Sequence, residues 1–394
     1  MATSTRRTPA TALPAAPPYG SRTIAELLPS AAAALGVEGF ENVLGLPMAN
    51  RICVVMVDGL GKALLKARGG HAPFLRKLME NSQTLHASFP STTAASLTSM
   101  GTGLPPGQHG VVGYDAVDPE RRRVVNQLGG WPKDLDPASW QPHRTVFEQV
   151  AAAGVHTATV SLSQFKDSAL TKAALRGPEF TAAESPHARV RATCEILAAN
   201  PRSLVYCYFN ELDKAGHRHG KASAQWGVAL EDLDSVMRTL AARVPAGTLL
   251  LLTADHGMVD VDEKWRIDYS EFPELVDGVE LTSGEPRGAQ LHFHAQTPPA
   301  QREAVAEAWR ERFGSKAWVL GRDEAIDLGL FGPVDDRVRE RIGDLLILSA
   351  EDIAFLDGRR VKPAAFTMIG QHGSLTRAEC EVPLLTLARP AAGK

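Results

Sequence analysis

Four places in this chain put an aspartate or a histidine shortly after a compact apolar run, and that pattern restricts the fold more than any other feature. RICVVMV (51–57) leads into Asp58, and SLVYCYF (203–209) leads into a segment carrying Asp213 and His217. TLLLLTA (248–254) leads into Asp255 and His256, and AFTMIG (365–370) leads towards His372. Runs this short and this apolar read as strands buried on both faces. VHTATVS (155–161) is a further run of strand type, and helical patterns stand between them. Strands alternating with helices build βαβ units and a largely parallel sheet. In open sheets of that kind ligands bind in the crevice outside the carboxyl ends of the strands. The pattern therefore predicts that Asp58, Asp213, His217, Asp255, His256 and His372 converge.

The expected architecture is α/β, with a mostly parallel central sheet flanked by helices and a smaller inserted cap. One flanking helix is explicit: Trp226, Leu230, Leu233, Met237 and Leu240 recur at steps of three and four residues and form one apolar face. From about Asp262 to Arg360 the pattern breaks into polar segments rich in Pro and Gly, around LHFHA (291–295) and a helical stretch over 300–313. This region, 262–360, is expected to be the cap, with 26–261 and 361–394 forming the core. Residues 1–25 read as a disordered lead-in, because they are rich in Ala, Pro and Thr and lack the apolar stretch of a signal peptide.

Three carboxylates and three imidazoles suit two borderline cations, each with about three protein ligands and an open position. The flanking glycines Gly59, Gly216, Gly257 and Gly373 let the backbone turn sharply beside such ions. A second element, SFPSTTAASLTSMGTG (88–103), places Thr92 and Thr93 at the start of a run of small residues. A threonine at a helix N-terminus meets unsatisfied N–H groups suited to a phosphate. The hydroxyl is a weak nucleophile until a metal lowers its pKa. His109, in a turn-rich loop, and His219 are read as supporting or solvated residues. His292 and His294 are read as one face of a half-exposed strand.

The remaining features exclude other classes. A net charge of -3 argues against a nucleic-acid-binding surface, and Arg121-Arg122-Arg123 reads as a solvated loop. Cys53, Cys194, Cys207 and Cys380 form no CxxC pair, which fits buried thiols in a reducing compartment. No stretch approaches the ~18 apolar residues of a membrane helix. The expected location is the cytoplasm.

With these residues in view the sequence resembles the alkaline phosphatase superfamily, and within it the nucleotide pyrophosphatase/phosphodiesterase branch, from about Ile52 to Leu385. The carriers are the DxxGHxxG element from Asp213 to Gly220 and Asp255-His256-Gly257. The resemblance implies a zinc ion held by Asp58, Asp255 and His256, with Thr93 also coordinating metal and standing between it and the substrate, and a second held by Asp213, His217 and His372. Manganese or iron remain open alternatives to zinc. In the family the nucleophile stands two positions after the hydroxyl residue of Phe-Pro-Ser/Thr. Counting from Ser91 in Phe89-Pro90-Ser91 selects Thr93 over Thr92. Many members continue with Phe-Pro-Asn, whose Asn holds a phosphate oxygen. Here Ala94-Ala95-Ser96 stands instead, which assigns the phosphate contact to Ser96 and removes the usual nucleotide-stacking ring. The implied activity is cleavage of a phosphodiester or pyrophosphate bond through a threonyl-phosphate. The partner is a small phosphate ester, a nucleotide among the candidates. Phosphomonoesterase, phosphonate hydrolase and phosphomutase-like reactions are the alternatives. No sulfatase C/S-x-P-x-R motif stands near Thr93.

Overall fold

A computed structural model describes residues 12–390. Its centre is a seven-stranded sheet in the order β2-β17-β8-β1-β7-β5-β6. The strands are β1 (Arg51–Val57), β2 (Gln83–His86), β5 (His156–Ser161), β6 (Glu179–Ala182), β7 (Ser203–Phe209), β8 (Thr248–Thr253) and β17 (Glu381–Ala388). β1 lies between β7 and β8, parallel to both, and β5 and β6 continue the parallel series. Only β17 runs against its neighbours, β8 and β2. β7 and β8 are buried along their whole length, which is why they read as unbroken apolar runs. The helix Ala224–Arg243 starts where the Ser223 hydroxyl accepts the Trp226 N–H at 3.1 Å. It buries the stripe from Trp226 to Leu240.

A second, antiparallel sheet occupies the insert: β11 (Val279–Glu285), β12 (Gly288–Phe293), β13 (Ala317–Gly321) and β14 (Leu345–Ser349), in the order β11-β12-β14-β13. Its strands alternate between two cores. Leu345 and Ile347 pack with Trp309 and Phe313 of the helix Pro299–Phe313. Leu346 and Leu348 join the main core, the cluster that also holds the apolar residues of β1, β7 and β8. The insert is thus seated on the body of the molecule by one whole face. Three small pairings complete the fold: the hairpin β3 (Asp115–Asp118) with β4 (Arg123–Asn126), β9 (Val259–Asp260) with β16 (Gly370–Gln371), and β10 (Arg266–Asp268) with β15 (Ala354–Leu356).

Two expectations need correction here. Of the segment 1–25 expected to be disordered, residues 12–25 are built into the fold, while 1–11 lie outside the described residues. Thr23 and Ile24 are fully buried, and Thr23 and Glu26 form a reciprocal cap. Tyr19 donates to the Leu330 carbonyl at 3.1 Å and accepts the Phe89 N–H at 3.0 Å. An Ala- and Pro-rich composition hid a segment tied down by those few side chains. His292 is also buried, 2.8 Å from the Ser283 hydroxyl, because its face of β12 turns away from solvent. The Arg121–Arg123 turn is solvated, and its charges pair with Asp118, Asp134 and Glu280. Among the described residues no helix is long and apolar enough to cross a membrane.

Candidate metal centre

The site grows from the carboxyl edge of the central sheet. Asp58 follows β1 directly, and its N–H donates to the Phe209 carbonyl at 2.8 Å, continuing the pairing with β7. Asp255 and His256 follow β8, one strand away. Asp213 and His217 stand one turn apart on the helix Glu211–His219 that leaves β7, so they share one face. His372 arrives differently from the expectation. It follows β16, a two-residue strand paired with β9 outside the central sheet. The last central strand, β17, begins nine residues after His372, and the histidine enters from a loop above the edge.

These six residues form two groups: Asp58, Asp255 and His256, and Asp213, His217 and His372. Within each group the ligand atoms lie within 4.8 Å of one another. The groups adjoin, since the rings of His256 and His372 stack with centroids 3.5 Å apart. Glycine is required where they meet. A Cβ on Gly59 would come within 3.2 Å of the Asp213 side chain, and one on Gly257 within 1.9 Å of the Ala378 carbonyl.

All three imidazoles are oriented by main-chain carbonyls. His217 Nδ1 bonds Gly370 at 2.7 Å, His372 Nδ1 bonds Ser91 at 2.9 Å, and His256 Nδ1 bonds Gly257 at 2.9 Å. A carbonyl oxygen only accepts, so each Nδ1 carries a proton and each Nε2 faces the site. There Nε2 of His256 lies 3.3 Å from Asp58 Oδ1 and 3.7 Å from Asp255 Oδ2, and that of His217 lies 3.2 Å from Asp213 Oδ1. Asp58 Oδ1, Asp213 Oδ1 and Asp255 Oδ2 are buried and receive no hydrogen bond. Orphaned carboxylate oxygens facing inward imidazole nitrogens fit divalent cations.

Electrostatics point the same way. Burial, and then the charge of Asp58, pushes Asp213 well above the usual carboxyl range and Asp255 up to about 7. For Asp58 the upward push of burial is outweighed by His256 and then by the Tyr208 hydroxyl, which donates to it, so its value is lowered. Burial lowers His217 and His372, which favours the neutral ring that a metal needs. Carboxylates crowded in this way invite positive charge.

The two threonines separate cleanly. Thr92 is the N-cap of the buried helix Thr93–Thr102, and its hydroxyl accepts the Ala95 N–H at 3.4 Å. Thr93 is the first helical residue, and its Oγ1 lies 3.1 Å from His256 Nε2. Ser96 does not match its expected place. It is fully buried one turn further along, and its hydroxyl accepts the Ser88 N–H at 3.3 Å, which holds the preceding loop. His109 is buried against the same helix, 2.9 Å from the Ser99 hydroxyl and outside both groups. Sequence reading missed Tyr208, whose apolar setting in β7 masked its hydroxyl. The available signal was register: Tyr208 stands opposite Met56, two residues before Asp58.

Fold and centre define an α/β protein of the alkaline phosphatase superfamily, with two clustered ligand sets at the carboxyl edge of a mostly parallel sheet. The model of the type I phosphodiesterase/nucleotide pyrophosphatase family matches residues 52–375, and the chain belongs to that family. Human ectonucleotide pyrophosphatase/phosphodiesterase family member 5 is 22% identical over 294 residues, covering 68% of this chain, and the match spans 60% of that relative's length. The solved structure of mouse ectonucleotide pyrophosphatase/phosphodiesterase 5 superimposes with a TM-score of 0.67 at 18% identity, covering 86% of this chain and 90% of that one. Phosphonoacetate hydrolase from Sinorhizobium meliloti 1021 gives 0.67 at 19% identity, covering 89% and 93%.

Proposed function

We propose that this chain hydrolyses phosphodiester or pyrophosphate bonds with two divalent cations, zinc being the metal, and with Thr93 as the nucleophile. The observation that carries this reading is the place of Thr93 Oγ1. It stands at the N-terminus of a buried helix, 3.1 Å from an imidazole nitrogen that also faces two carboxylates. Asp58, Asp255 and His256 would hold one cation and Asp213, His217 and His372 the other. When bound, the pair supplies Lewis acidity that lowers the pKa of the hydroxyl and neutralises charge building on phosphate oxygens.

The chain's own residues do the rest. Thr92, by capping the helix, keeps its positive end aimed at the place a phosphate would occupy. The Thr93 hydroxyl gives up its proton as Oγ1 attacks phosphorus, the bond to the leaving alcohol or phosphate oxygen breaks on the opposite side, that oxygen takes up a proton, and a threonyl-phosphate forms. Water then attacks that ester in line, so two inversions give net retention at phosphorus. His256 and Asp255 are fully buried, whereas the His217 side chain is 23% exposed. The substrate would therefore enter from the Asp213–His217–His372 side.

Ala94-Ala95 places no ring beside Thr93 to stack a base, which favours a small substrate over a nucleotide. A related mouse structure is that of an inactive variant with AMP, and the Sinorhizobium hydrolase was solved with phosphonoacetate. Both compounds belong in the test. Zinc-loaded protein is assayed against a bis-aryl phosphate diester, the matching monoester, a dinucleotide and phosphonoacetate. The reading expects the diester to turn over faster than the monoester, with a phosphoryl adduct trapped on the Thr93 peptide. No zinc-stimulated turnover of any compound would remove it. Faster cleavage of phosphonoacetate would replace the substrate class and keep the nucleophile.

A further inference from the structure

A buried ion pair links the insert to the loop that carries His372. Arg287 lies in the turn between β11 and β12 and is fully buried, as is Glu379 near the start of β17. The pair is bidentate, with Nε to Oε1 at 2.7 Å and Nη2 to Oε2 at 2.8 Å. The remaining guanidinium nitrogen, Nη1, donates to the carbonyls of Glu351 and Ile353, each at 2.8 Å. Four of the five N–H donors of the Arg287 head are thus taken up inside the insert or on Glu379.

Glu379 passes this anchorage on. Its Oε1 accepts the Ser374 N–H at 3.0 Å, two residues beyond His372, and its Oε2 accepts the Thr376 hydroxyl. The Ser374 hydroxyl donates to the carbonyl of Ser349 at the end of β14, at 2.6 Å. On the other side of the loop, the Ser91 hydroxyl donates to the Ser374 carbonyl at 2.7 Å and accepts the Gly373 N–H at 3.1 Å. Ser91 O is also the acceptor that orients His372, two residues before Thr93. Insert, His372 loop and nucleophile loop therefore form one hydrogen-bonded run. The main-chain carbonyl of Glu379 also accepts the Gly257 N–H at 2.7 Å, beside His256, a contact independent of the Glu379 side chain.

We propose that Arg287 and Glu379 are positioning residues for His372: through them the insert fixes the loop that completes the Asp213–His217–His372 group. The proposal rests on the two-cation reading above and assigns the insert a task in it. A side chain that only stabilised the fold would have no reason to bond the loop of one group so closely while touching the other only through its backbone.

The test is bound zinc per chain, with affinity by chelator competition, beside thermal stability. Wild type is expected to hold two ions. Arg287→Met/Glu379→Leu removes both charges together, which often leaves stability little changed, while the Ser374 N–H loses its acceptor. This variant is expected to keep the ion at Asp58, Asp255 and His256. The other should bind about 10- to 100-fold more weakly, the usual effect of removing a residue that orients a metal ligand. Arg287→Lys, which keeps the charge and loses the fork, should fall between, giving a second reading should the double variant not fold. Two ions at unchanged affinity in both folded variants would overturn the proposal. Equal weakening of both sites would overturn it too, by showing a general loss of structure. Wild-type protein that binds no zinc would instead remove the two-cation reading itself.

Discussion

Thr92 and Thr93 carry the same side chain one residue apart, and the fold gives them opposite work. Thr92 spends its hydroxyl on a helix cap, while Thr93 turns its own towards His256. Thr92→Ala should cost about 1 kcal/mol of stability and leave most of the turnover. Thr93→Ala should abolish turnover and leave zinc content unchanged by elemental analysis. The converse pattern would exchange their roles. Tyr208→Phe removes the donor to Asp58 and should weaken zinc binding by about 10-fold or more. Unchanged chelator competition would show that the hydroxyl is idle. The charges of the centre also set a pH dependence for chelated protein. Asp255 is raised to about 7 and His256, held up against burial chiefly by Asp255, to about 10, so at these two groups the native state binds more protons than the unfolded chain. Their stability is fully present at acid pH and is lost as pH rises through those values. Asp58, whose value is lowered, adds its share only above the ordinary carboxyl range and is constant across this window. His217 and His372, whose values burial lowers, act the other way up to the ordinary imidazole range, so the Tm of chelated protein should fall from about pH 7 to about pH 10, with zinc restoring most at the alkaline end. A chelated Tm that rises across this range would contradict the assignment.

At the level of elements, the sequence made some features legible and hid others for definite reasons. β1, β7 and β8 were readable because central parallel strands are buried on both faces and leave uninterrupted apolar runs. β17 was not, since it carries Pro383 and closes the sheet antiparallel near the edge. Three segments carrying candidate ligands could be placed at strand ends for the same reason. The fourth, at His372, could be read only as following apolar residues, because a two-residue ribbon leaves no periodicity. Ser96 was placed by its position in a family pattern, and its actual partner, Ser88 N–H, depends on how the loop folds back. The helix Thr93–Thr102 shows a constraint visible only in three dimensions. A Cβ on Gly101 would stand 1.8 Å from the Ala174 carbonyl of the helix Ala169–Ala174. Gly101→Ala should therefore lower stability by about 1–3 kcal/mol through forced separation of the two helices. A Tm at or above wild type would mean that this contact relaxes freely.

The whole molecule joins an open sheet, which gathers the Asp and His side chains at one edge, to an insert whose own sheet is half embedded in the same core. Tertiary pairing of this kind, above all Arg287 with Glu379 across 92 residues, has no local signature in the chain. Burial of three orphaned carboxylate oxygens beside three oriented imidazoles is the feature on which the functional reading turns. Anomalous diffraction from zinc-loaded crystals at the zinc edge addresses it directly. Two peaks are predicted, one enclosed by Asp58, Asp255 and His256 next to Thr93, the other by Asp213, His217 and His372. Density at neither cluster, or a lone peak remote from Thr93, would contradict it.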